Sequence, residues 1–160
     1  HLNPFALRVD LDDSLTVDVV VLFSCHCFTH NATKDQRPSI PPDERYWDNR
    51  DARVLNAERF RLSKQWLPQL VRELPTRHIR VADQSRPSFV TMEAADSEGK
   101  AVQYAVFFEA KRDAKRAKRM LLRVQSAYPI EKLTNRQLRA GKVRFAVLLR
   151  SVYNGRPIRG

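Results

Sequence analysis

The sequence has 160 residues, of which 42% are apolar and 9% aromatic, enough to bury the core of one domain and to exclude wholesale disorder. No apolar run is longer than Val19 to Phe23, which is far shorter than the roughly 20 residues of a membrane-spanning helix. The formal net charge is +11, with 14 Lys and Arg against 16 Asp and Glu in residues 1–110, and 15 against 2 in residues 111–160. This concentration of positive charge favours nucleic acid as the partner over an acidic protein or a solubility role.

Cysteine and glycine usage narrows the class of protein further. Cys25 and Cys27 are the two cysteines, and they lie one residue apart, so the chain has no disulfide framework and a reducing, cytoplasmic setting is expected. The four glycines are not clustered, which argues against a phosphate-binding loop and nucleotide-cofactor chemistry. No cofactor is therefore predicted.

The first half of the chain predicts a hairpin, a loop and one helix. Phe5 to Leu11 alternates in polarity and Leu15 to Cys27 is rich in β-branched residues, which indicates an antiparallel hairpin within residues 1–30. Residues 31–45 contain three prolines and are predicted to be a loop, whereas Tyr46 to Arg53 has no clear pattern.

The main helix is predicted over residues 56–74. Leu62, Trp66, Leu70 and Leu74 recur every four residues and form one apolar stripe. Asn56 or Ser63 could cap the helix, and Pro68 predicts either a kink or a start near Ser63. Trp47, Trp66 and Phe60 are assigned to the core.

The second half predicts strands with little helix. Expected strands are His78 to Ala82, Ser88 to Ala94, Ala101 to Ala110, Met120 to Tyr128 and Lys142 to Leu149, with a short helix over Glu131 to Ala140. Strand meanders with sparse helices indicate an α+β domain, with a mostly antiparallel twisted sheet of five to seven strands and one main helix. We expect residues 1–160 to form a single domain whose basic antiparallel sheet covers residues 78–155.

Ten cations of the last third are predicted to contact nucleic acid. They are Lys111, Arg112, Lys115, Arg116, Lys118, Arg119, Arg139, Lys142, Arg144 and Arg150. The first six lie on a connection between two strands, where they can grip several phosphates. Along the last predicted strand Lys142, Arg144 and Arg150 share the face opposite Val143 and Phe145. Tyr128 and Tyr153 lie nearby and either stack on bases or belong to the edge of the core.

The strand ending in Ser126-Ala-Tyr-Pro129 resembles the toxin endoribonucleases of the barnase–RelE-like group over about residues 78–155. The resemblance implies a metal-independent endoribonuclease that acts on RNA, with an acidic antitoxin as a possible partner. It also implies that Ser126 and Arg123 contact the scissile phosphate, with Tyr128 nearby, and that a histidine or lysine from elsewhere completes the site. The residue in question is His26, His30 or His78, or else Lys111 or Lys115. The plainer interpretation of Ser126 to Pro129 is a strand end with a turn.

Three other interpretations stay open. Asp96, Glu109 and Lys111 resemble the Asp…Glu-x-Lys pattern of Mg²⁺-dependent nucleases. Cys25, Cys27 and His30 offer three zinc ligands, but a structural zinc site uses four, so buried free cysteines are favoured. The third alternative is a non-catalytic module that binds nucleic acid with the same cations and needs no histidine.

Overall fold

The computed structural model of the protein describes residues 1–49, 51–81 and 88–158. Within these ranges the chain forms ten strands and three α-helices. The strands are β1 Phe5–Asp12, β2 Leu15–Phe23, β3 Thr29–Asn31, β4 Arg45–Asp48, β5 Asp51–Leu55, β6 His78–Val81, β7 Ser88–Ala95, β8 Ala101–Arg112, β9 Arg119–Ile130 and β10 Gly141–Arg144. The helices are α1 Ala57–Arg72, α2 Asn135–Leu138 and α3 Phe145–Tyr153.

Seven strands form one sheet in the order β1-β2-β9-β8-β7-β6-β10, and β3-β5-β4 form a small second sheet. All neighbours in the large sheet are antiparallel except β2 and β9, which run parallel. The predicted α+β class, with a mostly antiparallel sheet and one main helix, is confirmed. The second sheet was not predicted, because its strands are only three to five residues long.

Helix α1 begins after Asn56, the first of its two predicted capping residues. The Asn56 side chain accepts a hydrogen bond from the Arg59 backbone N–H, satisfying a donor that the first turn leaves open. The alternative start near Ser63 is wrong, since Ser63 is buried inside the helix and donates to the Phe60 carbonyl. Pro68 is accommodated within the helix.

The predicted strand from Lys142 to Leu149 is wrong beyond Arg144. The chain forms the short strand β10 and then enters α3 at Phe145. The alternation of apolar residues misleads here, because a helical pattern starts at the same residue. Phe145, Leu148 and Leu149 are fully buried at i, i+3 and i+4, whereas Val147 is 38% exposed.

Four smaller expectations also change. Strand β2 ends at Phe23, and Cys25–Cys27 form a 3-10 turn rather than strand. Pro129 does not close β9, which continues to Ile130. The helix expected over residues 131–140 is a single turn, α2. Trp47 is 71% exposed instead of lying in the core.

The core lies between one face of the large sheet and the helices α1 and α3. Val21, Val106 and Leu122 on the strands meet Leu70 of α1 and Phe145 of α3, all fully or almost fully buried. We call the opposite face of this sheet the open face. In the described ranges of the chain, no helix is long and apolar enough to cross a membrane.

Candidate nucleic-acid site

A β-bulge at Gln125 changes which face of β9 carries Ser126. Phe107 and Phe108 are adjacent on β8, yet they pair with Ser126 and Val124, so Gln125 is an extra residue in β9. In a regular strand Ser126 would share a face with Leu122 and Val124, and the bulge prevents this. Those two residues are buried in the core, whereas Ser126 is turned to the open face.

The same bulge places Ser126 beside Arg123. Arg123 pairs with Glu109 and Ser126 pairs with Phe107, and these partners lie two residues apart on β8 and so share a face. In a regular strand, residues three apart would point to opposite faces. Two residues along a strand span about 7 Å, so the positions of Arg123 and Ser126 are about that far apart on one face. A phosphate group could contact both.

A histidine and an aspartate complete this end of the open face. The 3-10 turn after β2 carries His26, and Asp48 ends β4 of the small sheet. Nε2 of His26 lies 2.8 Å from Oδ2 of Asp48, and Nη2 of Arg123 lies 3.9 Å from the same oxygen. The His26 and Asp48 groups are not aligned as a regular hydrogen bond. We call Arg123, Ser126, His26 and Asp48 the β9 site.

Two arginines lie behind His26. Arg53 is 8% exposed, and both Arg53 and Arg59 donate to the backbone carbonyl of Thr29, at 3.1 and 2.8 Å. Among the described residues, neither arginine has a carboxylate at ion-pair distance. Burial, and then the charge of Arg53, lower the pKa of His26 below its usual value of 6.5, while Asp48 opposes the shift. His26 is therefore neutral near pH 7, as a proton acceptor must be.

Tyr128 ends a row of stacked aromatic rings on the open face. Its ring lies 5.4 Å from that of Phe107, which lies 5.5 Å from Phe89. The Arg59 guanidinium lies over the Tyr128 ring at 4.8 Å from its centre. Phe89 is buried, so it does not offer a face for base stacking, whereas Phe107 and Tyr128 are half-buried.

The other two candidate histidines lie elsewhere. Both ring nitrogens of His30 are in contact, Nε2 with Asp35 at 3.0 Å and Nδ1 with Asn56 at 3.0 Å. His30 therefore connects the loop after β3 to the cap of α1. His78 is exposed at the start of β6, on the far side of the sheet from β9.

The cations of the β8–β9 connection are partly neutralised. Asp113 forms an ion pair with Arg119 and accepts the Lys115 backbone N–H at 2.9 Å. These two contacts hold the pKa of the Asp113 carboxyl below its usual value. Lys115, Arg116 and Lys118 remain exposed. Lys111 lies on the open face opposite Leu121. Arg112 stacks on the ring of Tyr153 on the helix side, where Tyr153 packs against the core.

The remaining predicted cations do not lie on one surface but on three different elements. Lys142 and Arg144 lie on β10, opposite Arg80 and His78 of β6. Arg150 does not share their face, because it belongs to α3, where its charge lowers the pKa of Asp12 as the weakest of several causes. Arg139 caps α2 and is exposed.

Neither of the two alternative metal groups is formed by the residues that the sequence offered. Asp96 lies in the β7–β8 turn and Glu109 lies eight residues beyond the start of β8, roughly 26 Å along the strand. Cys27 is fully buried, and burial raises the pKa of its thiol to about 12, while His30 is held by Asp35.

A different group of potential ligands appears at the β9 site. One donor atom each from Cys25, His26 and Asp48 lies within 4.8 Å of the others. A structural zinc site needs four protein ligands, and a catalytic one uses three with water. Three ligands are too few for a structural site and match the number that a catalytic site uses.

Four residues of this region were not predicted as site residues. Asp48, Arg53 and Arg59 come from stretches interpreted as ambiguous or as helix, and Gln125 is visible only through strand pairing. The two cysteines and two histidines within residues 25–30 are a sequence signal next to this site, but they point to His26 and to none of these four residues.

The fold and site define an α+β protein with a cationic open sheet face and a His–Asp–Arg cluster at one end of it. The sequence model of the YjaZ family matches residues 1–153, so the chain belongs to the YjaZ family. No curated protein and no solved structure matches the chain.

Proposed function

We propose that this protein is a metal-independent endoribonuclease of toxin type, which cleaves RNA at the β9 site. The observation that carries the proposal is the bulge at Gln125. It places Ser126 on one face with Arg123, the two residues that the toxin resemblance assigns to the scissile phosphate. Asp48 lies against the same arginine, and His26 lies against Asp48.

The proposed reaction uses His26 as the base. Its neutral imidazole takes the proton of a ribose 2′-hydroxyl, whose oxygen then bonds to phosphorus as the bond to the 5′-oxygen breaks. Arg123 stabilises the negative charge on the phosphorane and Ser126 donates a hydrogen bond to it. The carboxylate of Asp48, 2.8 Å from Nε2 of His26, stabilises the protonated form of the imidazole by its charge. The products are a 2′,3′-cyclic phosphate and a 5′-hydroxyl.

We assign the proton of the leaving 5′-oxygen to Tyr128. Its pairing with Ala105, two residues from Phe107 on β8, places it on the face of Ser126. Arg53 and Arg59 contribute a positive potential behind the site, which favours an anionic substrate. An open hollow of about 350 Å³ beside Arg123, bounded in part by Lys111 and Leu22, gives the substrate room.

The proposal also implies a setting and a partner. The free thiols of Cys25 and Cys27 suit the reducing cytoplasm, where RNA is abundant. An acidic antitoxin that covered the open face would block the β9 site.

The test is incubation of the purified protein with RNA and with DNA, in EDTA and then with Mg²⁺ or Zn²⁺. We expect RNA cleavage in EDTA that yields cyclic phosphate ends, and none with DNA, which lacks the 2′-hydroxyl. Tyr128→Phe keeps the ring stacking and removes only the hydroxyl, so it should lower the cleavage rate without changing the fold. Its control, Tyr153→Phe, alters a tyrosine on the helix side and should cleave normally.

Two results would contradict the proposal. Cleavage that required added Zn²⁺ would make Cys25, His26 and Asp48 metal ligands and replace the base mechanism. Salt-sensitive binding without cleavage would leave the alternative, a non-catalytic nucleic-acid-binding module, which the exposed cations of residues 111–119 also support.

A further inference from the structure

The far edge of the open face carries a second group of cations that the proposed reaction does not use. Lys142 pairs directly with Arg80, and Arg144 pairs with His78, across strands β10 and β6. Residues two apart on a strand share a face, so all four side chains point the same way, opposite the buried Ile79 and Val143. We call these four residues the edge cluster.

The pairing of Lys142 with Arg80 destabilises the folded protein when no anion is bound. Like charges that lie directly opposite in an antiparallel pair repel each other. In the described part of the chain, no carboxylate lies at ion-pair distance from any member of the edge cluster. A bound anion would relieve this repulsion.

The edge cluster also has a cavity. Strands β6 and β7 are joined at one residue pair, Arg80 and Phe89, among the residues that the structure describes. A hollow of about 440 Å³ is lined by His78, Arg80, Val90, Thr91 and Lys142. Its volume is that of an ordinary ligand site, and its polar side chains are hydrogen-bond donors with no acidic group among them.

A continuous row of paired residues connects this hollow to the β9 site. Lys142 pairs with Arg80, Arg80 with Phe89, Phe89 with Phe107, and Phe107 with Ser126. Four strand spacings make the row about 19 Å long. An extended single strand of RNA covers such a distance with several nucleotides.

We infer that the edge cluster is a phosphate-binding subsite, which holds the RNA backbone several nucleotides from the phosphate at Ser126. This inference rests on the proposed function for the location of the cut, but binding itself can be measured without cleavage. The phosphate is either an internal diester or a terminal 5′-monoester, and both are recognised by the same guanidinium, ammonium and imidazole groups.

The experiment measures fluorescence anisotropy with 2′-O-methyl RNA, which cannot be cleaved by 2′-hydroxyl attack. The long probe has about 12 nucleotides, more than enough to cover the row of about 19 Å, and the short probe is a dinucleotide. Each is made with a 5′-phosphate and with a 5′-hydroxyl. The variant is Arg80→Ala/Lys142→Ala, and its matched control is Lys64→Ala/Arg156→Ala, which removes two exposed cations outside the open face.

The double variant should bind the long probe about 10- to 100-fold more weakly and lower the salt slope by about 1.4, the value for two single-strand phosphate contacts. The control should change neither quantity by a comparable amount, and binding of the dinucleotide with a 5′-hydroxyl should not change. A loss confined to 5′-phosphorylated probes would assign the subsite to a terminal phosphate. Arg80→Lys/Lys142→Arg keeps both charges and should restore most of the affinity.

Equal losses in the double variant and its control would overturn the inference, since charge alone would then explain binding. Unchanged RNA binding together with self-association of the double variant would also overturn it, because the cations would then protect the edge strand β10 from pairing. If the double variant kept its affinity for RNA but lost affinity for an acidic peptide, the edge cluster would bind a protein partner and the inference would be wrong. Binding as expected without any cleavage would contradict the proposed function and leave this inference intact.

Discussion

The cations at the two ends of the open face differ in whether a carboxylate accompanies them. At the β9 site Arg123 lies beside Asp48, and nearby Arg119 pairs with Asp113. At the edge cluster, Arg80 and Lys142 face each other, with no carboxylate at ion-pair distance in the ranges that the structure describes. A paired cation is held in one orientation, whereas an unpaired one keeps its full field. The first end is suited to positioning a phosphate and the second to attracting it.

Of the changes that distinguish the two ends of the open face, removal of the base should have the largest effect on the rate of RNA cleavage. His26→Ala should lower the rate of RNA cleavage by about a thousandfold, because general base catalysis contributes 10²- to 10⁴-fold. RNA binding should remain, since the edge cluster is intact. The matched change at the other end is His78→Ala. This variant should cleave a dinucleotide substrate at the normal rate, because a dinucleotide at the β9 site does not reach the edge cluster. Equal rates for the two variants would remove His26 from the mechanism.

Loss of the phosphate-positioning arginine should rank second. Arg123→Ala should lower kcat by about 100-fold, since one donor to a charged transition state contributes on this order. Arg8→Ala is the control, because Arg8 is also exposed and lies beside a carboxylate, Asp18, at 3.5 Å. Steady-state kinetics of the two variants would give the comparison, and a normal kcat for Arg123→Ala would contradict the assigned role.

The serine should contribute less. Ser126→Ala removes one neutral hydrogen-bond donor and should lower kcat about tenfold, which corresponds to about 1.4 kcal/mol. Ser97→Ala, in the β7–β8 region, should be indistinguishable from the unmodified protein. An unchanged rate in Ser126→Ala would show that the bulge does not serve the reaction.

The pH dependence of RNA cleavage should reveal the contact between Asp48 and His26. Activity needs neutral His26, and burial together with Arg53 lowers the pKa of that residue below 6.5, so cleavage should persist at pH 6.5 and fall only at lower pH. Asp48 raises the pKa of His26, so Asp48→Asn should move this fall to still lower pH while reducing the maximal rate. A kcat/KM profile measured for both proteins tests the shift, and movement to higher pH would contradict it.

The smallest effect concerns the β8–β9 connection. The pKa of Asp113 is lowered in the folded state, so its contribution to stability is present above the usual carboxyl pKa and is lost as the pH falls through the lowered value. Asp113→Asn should reduce Tm slightly at pH 7, and the difference should disappear in acid. Asp13→Asn, on the exposed β1–β2 turn, serves as the control in the same thermal melts.

The sequence correctly predicted those strands and helices whose polarity pattern fits only one type of secondary structure. Strands β1, β7 and β8 and helix α1 were placed within a few residues, because alternation or a four-residue stripe marks each. Residues 145–149 fit both an alternating and a helical pattern, and packing of Phe145 and Leu148 against the sheet selects the helix.

The candidate site was less predictable for a different reason. Arg123, Ser126 and His26 were identified by residue type and motif, but their common location depends on pairings between distant strands. The bulge at Gln125 reverses the face that simple counting assigns to Ser126, and Asp48 reaches His26 through a small sheet of very short strands. Local patterns contain no information on either arrangement.

The parallel pairing of β2 with β9 has a consequence for when this protein can act. Asp18 pairs with Arg119, roughly a hundred residues later in the chain, so this contact must form late and slowly relative to the local hairpins. During synthesis on the ribosome, His26 is made long before Arg123 and Ser126, and the two halves of the β9 site stay apart until β9 has emerged. Under the proposed function, a nascent chain would leave the RNA that encodes it intact, and cleavage would begin only with the completed fold.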